Sequence, residues 1–278
     1  MSARAWTDRR GFSVVELLIT MVIGAIILGA TYGVMVSQQR FFARQTQVQD
    51  TRETLRAAAA ILAAELRQAS AEGGDLLAIA PDSFVLRTTI GFGVVCGINA
   101  SQKRLNVIQM TGGWNPGDSA LVFRDNAPGK ADDEWSQRLL VSVDRSSPGT
   151  CAWGAPAEAL VTLDTVRVGV RVGAQVRPFR WYVYKLVREG DRYWLGRRRL
   201  DETRYTAVVG PLLPPGAGSG LALTYLDGSG NPTGVPSSVR SVRFTVRAQS
   251  FGRAPGLAGA ASGYVEDTLS ARAFLRNN

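Results

Sequence analysis

Arg9-Arg10-Gly11-Phe12-Ser13-Val14-Val15-Glu16-Leu17-Leu18-Ile19-Thr20 decides how the first quarter of this chain is built. From Phe12 the sequence stays apolar to Val36 and carries one charged side chain, Glu16. Some 25 residues at ~1.5 Å rise make ~37 Å of helix, enough to cross a ~30 Å hydrocarbon core. A carboxylate within such a span costs roughly 2.5–3.5 kcal/mol on insertion scales, so Glu16 calls for a compensating partner.

The polar leader before it, residues 1–11, sets Arg4, Arg9 and Arg10 against Asp8, as on a cytoplasmic flank. A secretory signal peptide places its cleavage site after the apolar core, and here the order is reversed. Cleavage between Gly11 and Phe12 would free a cationic α-amine one helical turn from Glu16. Glu16 would then also lie in the first turn of a helix, where the macrodipole favours negative charge.

The string Arg10-Gly11-Phe12-Ser13-Val14-Val15-Glu16-Leu17-Leu18 resembles the prepilin signal of type IV pilins and type II secretion pseudopilins. The resemblance implies that a membrane peptidase cuts after Gly11, that Phe12 becomes N-methylated, and that the apolar helix is retained. It also implies that Glu16 serves filament assembly by pairing with the N-terminal amine of a neighbouring subunit.

No proline occurs before Pro81, and helix formers dominate from Phe12 to about Ser70. Leu55, Ala59, Leu62, Leu66 and Ala69 follow a 4-3-4-3 spacing, an apolar stripe suited to packing on a domain. Gly73-Gly74 reads as the helix stop. Four regions are expected: leader 1–11, membrane or filament-core helix 12–37, amphipathic helix 38–73, and a β-rich head 74–278.

Within the head, Ser83–Thr88, Ala120–Phe123 and the alternating Val242, Phe244 and Val246 read as strands. The alternation of Val166, Val168, Val170 and Val172 predicts a half-buried strand there too. Arg180–Arg188 and Tyr193–Leu200 read as a hairpin closed by Glu189-Gly190-Asp191-Arg192, and 210–220 and 251–263 as loops. A long helix followed by antiparallel strands predicts an α+β fold with the helix stripe packed on the sheet.

Parts of the head are similar to PilW-type minor pilins and the related GspJ-type pseudopilins. They are Arg40-Phe41-Phe42, Leu62–Ala69, Tyr184–Arg188, Gly220–Asp227 with Val239–Phe244, and the end Ala271–Asn277. The resemblance implies a minor subunit that primes a type IV pilus at its tip. Its partners would be major and minor pilins, prepilin peptidase and inner-membrane assembly machinery. It would sit as a single-pass protein of the bacterial inner membrane with its head outside the cytoplasm, then in a periplasmic or extracellular filament. A secretion pseudopilin and a DNA-uptake or adhesion subunit are the alternatives.

Histidine is absent from all 278 residues. That excludes Ser-His-Asp and Cys-His catalysis and imidazole zinc sites, and no organised carboxylate pair stands out, so neither enzyme nor cofactor is expected. Asp132-Asp133-Glu134 lacks the alternating ligand spacing of a calcium loop and reads as solvated acids, with no metal site expected. The net charge is +9, and +7 without the leader. Arg180, Arg188, Arg197, Arg198 and Arg199 interleave with Trp181 and Trp194, a candidate ligand surface for which nucleic acid is one candidate partner. The bland reading is a hairpin with one solvated basic face. Cys96 and Cys151 lie in the exported part and read as one disulfide, with two reduced buried thiols as the alternative.

Overall fold

The computed structural model describes residues 13–276 apart from 128, 130, 131, 217 and 257–260. Gly11 and Phe12, the expected cleavage and methylation positions, lie outside the described residues. The architecture is α+β: one helix, α1 (Val14–Gln68), and a large antiparallel sheet. The chain divides into two compact units.

The first unit is the helix up to Glu53 together with Gln249–Asp267. Its apolar stretch is exposed apart from the half-buried Gly24 and Val36, and among the described residues α1 is the one helix long and apolar enough to cross a membrane. The 249–267 segment holds the helix through polar contacts. Gly252 N–H donates to Gln47 Oε1 at 3.0 Å, and Arg52 Nε lies 3.4 Å from Asp267.

The second unit, Thr54–Ala248 with Thr268–Asn278, begins with the last four turns of α1. Leu55, Ala58, Leu62, Leu66 and Ala69 are buried, three and four residues apart, so they share one face. Ala58 takes the fully buried place expected of Ala59, which packs at the margin. The helix stops at Gln68, one turn before Gly73. The Arg276 backbone N–H donates to the Ala69 carbonyl at 2.8 Å, and Asp75 accepts from the Ser70 N–H at 2.7 Å, which anchors the chain just past the helix end.

The strands are β1 (Leu76–Ala80), β2 (Ser83–Thr89), β3 (Gly91–Asn99), β4 (Arg104–Gly112), β5 (Ser119–Arg124), β6 (Glu134–Asp144) and β7 (Ala159–Leu163). They continue with β8 (Gln175–Glu189), β9 (Arg192–Arg199), β10 (Thr206–Leu212), β11 (Leu221–Leu226), β12 (Ser241–Gln249) and β13 (Glu266–Phe274). The 15-residue β8 organises them. Its later half pairs with β2, from Phe179↔Thr89 to Lys185↔Ser83, and with β9, from Tyr182↔Arg199 to Glu189↔Arg192. This part of the sheet covers the helix stripe. Phe84 stacks on Tyr184 at 4.8 Å, and Leu195, Leu212, Phe244 and Val246 complete the core.

The earlier half of β8 does something the local patterns did not announce. The order β8-β3-β4-β7-β6-β5 returns to β8 through Val176↔Val122 and Phe179↔Ser119, closing a six-strand ring. Alternate residues point inward, as closure requires. Val95, Leu105, Val107, Val122, Leu140, Val161 and Val176 make a second core, each worth about 1.5–3 kcal/mol on burial. Cys96 and Cys151 form a disulfide with Cα atoms 4.8 Å apart, beside this barrel and packed with Ala157.

The expected strand at Val166–Val172 is absent. Residues 164–174 form a loop with turns at Val168-Gly169 and Val172-Gly173. Gly169 and Gly173 both adopt φ +93°, a conformation that ends an extended run whatever its apolar alternation. Val166 and Val170 still pack on the barrel core, and Val168 is 88% exposed.

Candidate functional site

Ser13 precedes α1, and its carbonyl accepts the Leu17 N–H at 3.1 Å, which makes Ser13 the N-cap residue. Glu16 follows three residues later, in the first turn, the position of a capping-box acid. Its side chain is exposed, and it has no ion-pair or hydrogen-bond partner among the described residues. Val14, Val15, Leu17, Leu18 and Ile19 around it are exposed too, between 49% and 77%. The positive end of the helix favours the carboxylate's charge there, and the exposed apolar surface leaves its outer side open.

The basic hairpin is organised differently from a single open face. Residues paired directly across an antiparallel ladder share a face. Arg180, Arg188, Arg197 and Arg199 therefore lie on the face of Tyr184, which covers the helix, and Arg198 lies on the other. Arg180 is bidentate to Asp118 at 2.6 and 2.7 Å, and Asp118 is only 1% exposed. These hydrogen bonds hold the Arg180 pKa above the usual arginine value, against a burial cost. Arg199 engages Asp201 at 2.8 Å and approaches Asp118 at 3.6 Å. Arg197 sits over the Tyr182 ring at 4.7 Å and reaches Glu65 of α1 at 3.7 Å. Arg198 donates to the carbonyls of Arg199, Leu200 and Glu202. Arg188 donates to Gly190 O.

The aromatic members are committed as well. Trp181 packs edge-on to Phe179 with Arg87 over its ring, and the Trp194 indole N–H is buried without a partner. Of these five arginines, Arg180, Arg197 and Arg199 thus face carboxylates, and Arg188 and Arg198 bond backbone carbonyls. Asp118 is the residue the sequence did not flag. It lies in the turn Asn115-Pro116-Gly117-Asp118, and only the register of β5 on β8 brings it to Arg180.

Asp132 and Asp133 come together with Asp125, their carboxylate oxygens within 4.8 Å of one another. Asp125 arrives from the end of β5, seven residues earlier, which the sequence alone did not pair with them. Arg171 offsets part of this charge at 3.6 Å from Asp125.

Residues 6–32 match the family described as the prokaryotic N-terminal methylation motif. No curated protein and no solved structure matches the chain. The matched segment contains Gly11, Phe12 and Glu16. Such a motif implies processing by a prepilin peptidase and assembly with other pilins. The exposed apolar helix fits a membrane-anchored precursor. Together these support reading the chain as a type IV pilin-like or pseudopilin-like precursor.

Proposed function

We propose that the mature chain begins at Phe12 and is a minor subunit of a type IV pilus, placed at the tip, where it primes assembly. The observation that carries this reading is the methylation motif over residues 6–32, joined to a helix whose first turn presents Glu16 free of any partner among the described residues. In the membrane, Glu16 attracts the N-terminal amine of an incoming subunit. Pairing removes an uncompensated charge from an apolar surface, so docking is favoured at one register along the helices. The head beyond residue 74, with two cores, is bulky beside a single helix and suits an end of the filament better than its shaft. Chemistry is performed on this chain by the peptidase, and its own work is assembly without catalysis.

Two measurements test this. N-terminal sequencing of the mature protein should find N-methylated Phe12, and any other first residue in cells with active peptidase overturns the processing step. Glu16→Ala should leave cleavage intact and abolish recovery of the subunit in sheared filaments. Normal incorporation would refute the role of the carboxylate.

A further inference from the structure

A groove of ≈ 800 Å³ opens in the second unit where the end of α1, β2, the start of β8, β6 and the C-terminal tail meet. Among the described residues, four guanidiniums line it, from Arg67, Arg87, Arg177 and Arg276, against one carboxylate, Asp75. That carboxylate is already spent. Its two oxygens accept from Arg87 Nε at 2.7 Å and from the Ser70 N–H at 2.7 Å. Arg276 comes no closer than 4.0 Å to it. Arg67 and Arg177 have no carboxylate within 4.0 Å among the described residues.

Such a surplus of positive charge in a concave, partly desolvated space is unfavourable when empty. Burial and the nearby Arg276 charge both push the Arg177 pKa below its usual value. The guanidinium is nonetheless held in place. It lies 4.4 Å over the Trp135 ring and donates to Gln175 Oε1 at 2.6 Å, which leaves other N–H groups to face the groove. Planar guanidiniums fixed this way recognise oxyanions in forked pairs.

We propose that this groove is a docking site for an acidic peptide segment of another protein chain, one carrying two or three closely spaced carboxylates. The volume falls in the range of clefts that enclose a small ligand or short peptide, about 300–1,000 Å³. The amides of Gln68 and Gln137 in its walls match peptide backbone groups. A single-stranded nucleic acid is the poorer fit, because stacking needs open ring faces and Trp135 already carries Arg177, which leaves Phe92 as the other ring in the lining. The inference stands apart from the reading of residues 6–32 and does not require it.

The test uses the full chain in neutral detergent at low salt, with fluorescence anisotropy of a labelled peptide of four aspartates spaced by glycines. Arg67→Glu with Arg276→Glu changes two exposed groove residues, and Arg104→Glu with Arg243→Glu makes the same charge change on exposed positions outside the groove. Peptide affinity should fall at least about tenfold in the groove variant and less than about twofold in the control. Equal losses in both variants, or none in either, would show bulk charge attraction and overturn the site. A thymidylate oligomer of equal charge that binds as tightly, and is lost with the same groove variant, would make this a nucleic-acid groove instead. Inorganic phosphate that competes as well as the peptide would reduce it to a simple anion site.

Discussion

The later half of β8 and the earlier half of the same strand serve two cores built on different principles. Around Tyr184 the sheet is open and buries its face by laying it on Leu55, Leu62 and Leu66 of the helix. Around Val176 no helix covers the sheet among the described residues, and it buries its face by curling back on itself, β5 onto β8. One solution depends on a partner element and the other only on strand register. A sheet can thus be covered or closed, and a single strand can take part in both.

The comparison is broken most directly by removing volume from each core. Leu62 and Leu140 are both fully buried, so Leu62→Ala and Leu140→Ala should each cost about 2–5 kcal/mol. Under hydrogen exchange, Leu62→Ala should accelerate β2 and β12 while β4 and β7 keep their protection, and Leu140→Ala the reverse. Uniform acceleration by either variant would mean that the two cores unfold as one.

Cys96→Ala with Cys151→Ala should cost at most about 4 kcal/mol, the chain-entropy value for a cross-link separated by 55 residues. The loosening should appear in β3, β4 and β7, with α1 unaffected. Asp118→Ala leaves Arg180 without its bidentate partner where barrel and open sheet adjoin. A loss of about 2–3 kcal/mol is expected, below the fully buried range because Arg180 is 22% exposed. Denaturant titration measures it, and a change under about 0.5 kcal/mol would remove Asp118 as the organiser of that corner.

Alkaline pH offers a gentler way to separate the cores. Burial raises the pKa of Tyr184 and Tyr225 above the usual tyrosine value of 10.0, and both belong to the helix–sheet core. The folded state therefore keeps protons that the unfolded chain gives up, so stability is full below pH about 10 and falls as pH rises beyond it. Residues 91–174 contain no tyrosine, so the barrel should lack this response. Tyr225→Phe should also lose about 1 kcal/mol at neutral pH, since its hydroxyl donates to Ser83 O at 2.9 Å. Tyr184→Phe should lose less than that, because its buried hydroxyl makes no well-formed hydrogen bond, with Arg197 and Glu65 beside it.

What could be read from the residues alone follows the range of the interactions. The helix, β2, β5, β12 and the β8–β9 hairpin are announced by local period and turn chemistry. Glu16 is legible for the same reason, a single charge in a continuous apolar run. The barrel is not, because it closes through pairing of β5 with β8, more than fifty residues apart, and no local pattern encodes that register. Val166–Val172 shows the converse: its alternation is that of a strand, and two glycines at positive φ turn it into a loop. Arg67, Arg87, Arg177 and Arg276 are spread over most of the chain and meet only once β2, β8 and the tail are in place. The basic hairpin reads as a run of unpaired cations because its acidic counterparts, Asp118 and Glu65, lie far away in sequence.

The chain leaves the open sheet after Thr89 and rejoins it at Phe179, and these two residues pair with each other. Ile90 N–H donates to Pro178 O at 2.8 Å, and Gly93 pairs with Val176. Residues 90–178, which carry the barrel, are therefore inserted across the last rung of that ladder. Its loops can lengthen, shorten or exchange over generations without shifting β2 against β8. Variation can concentrate at that end of the protein while the face that grips the helix stays constant.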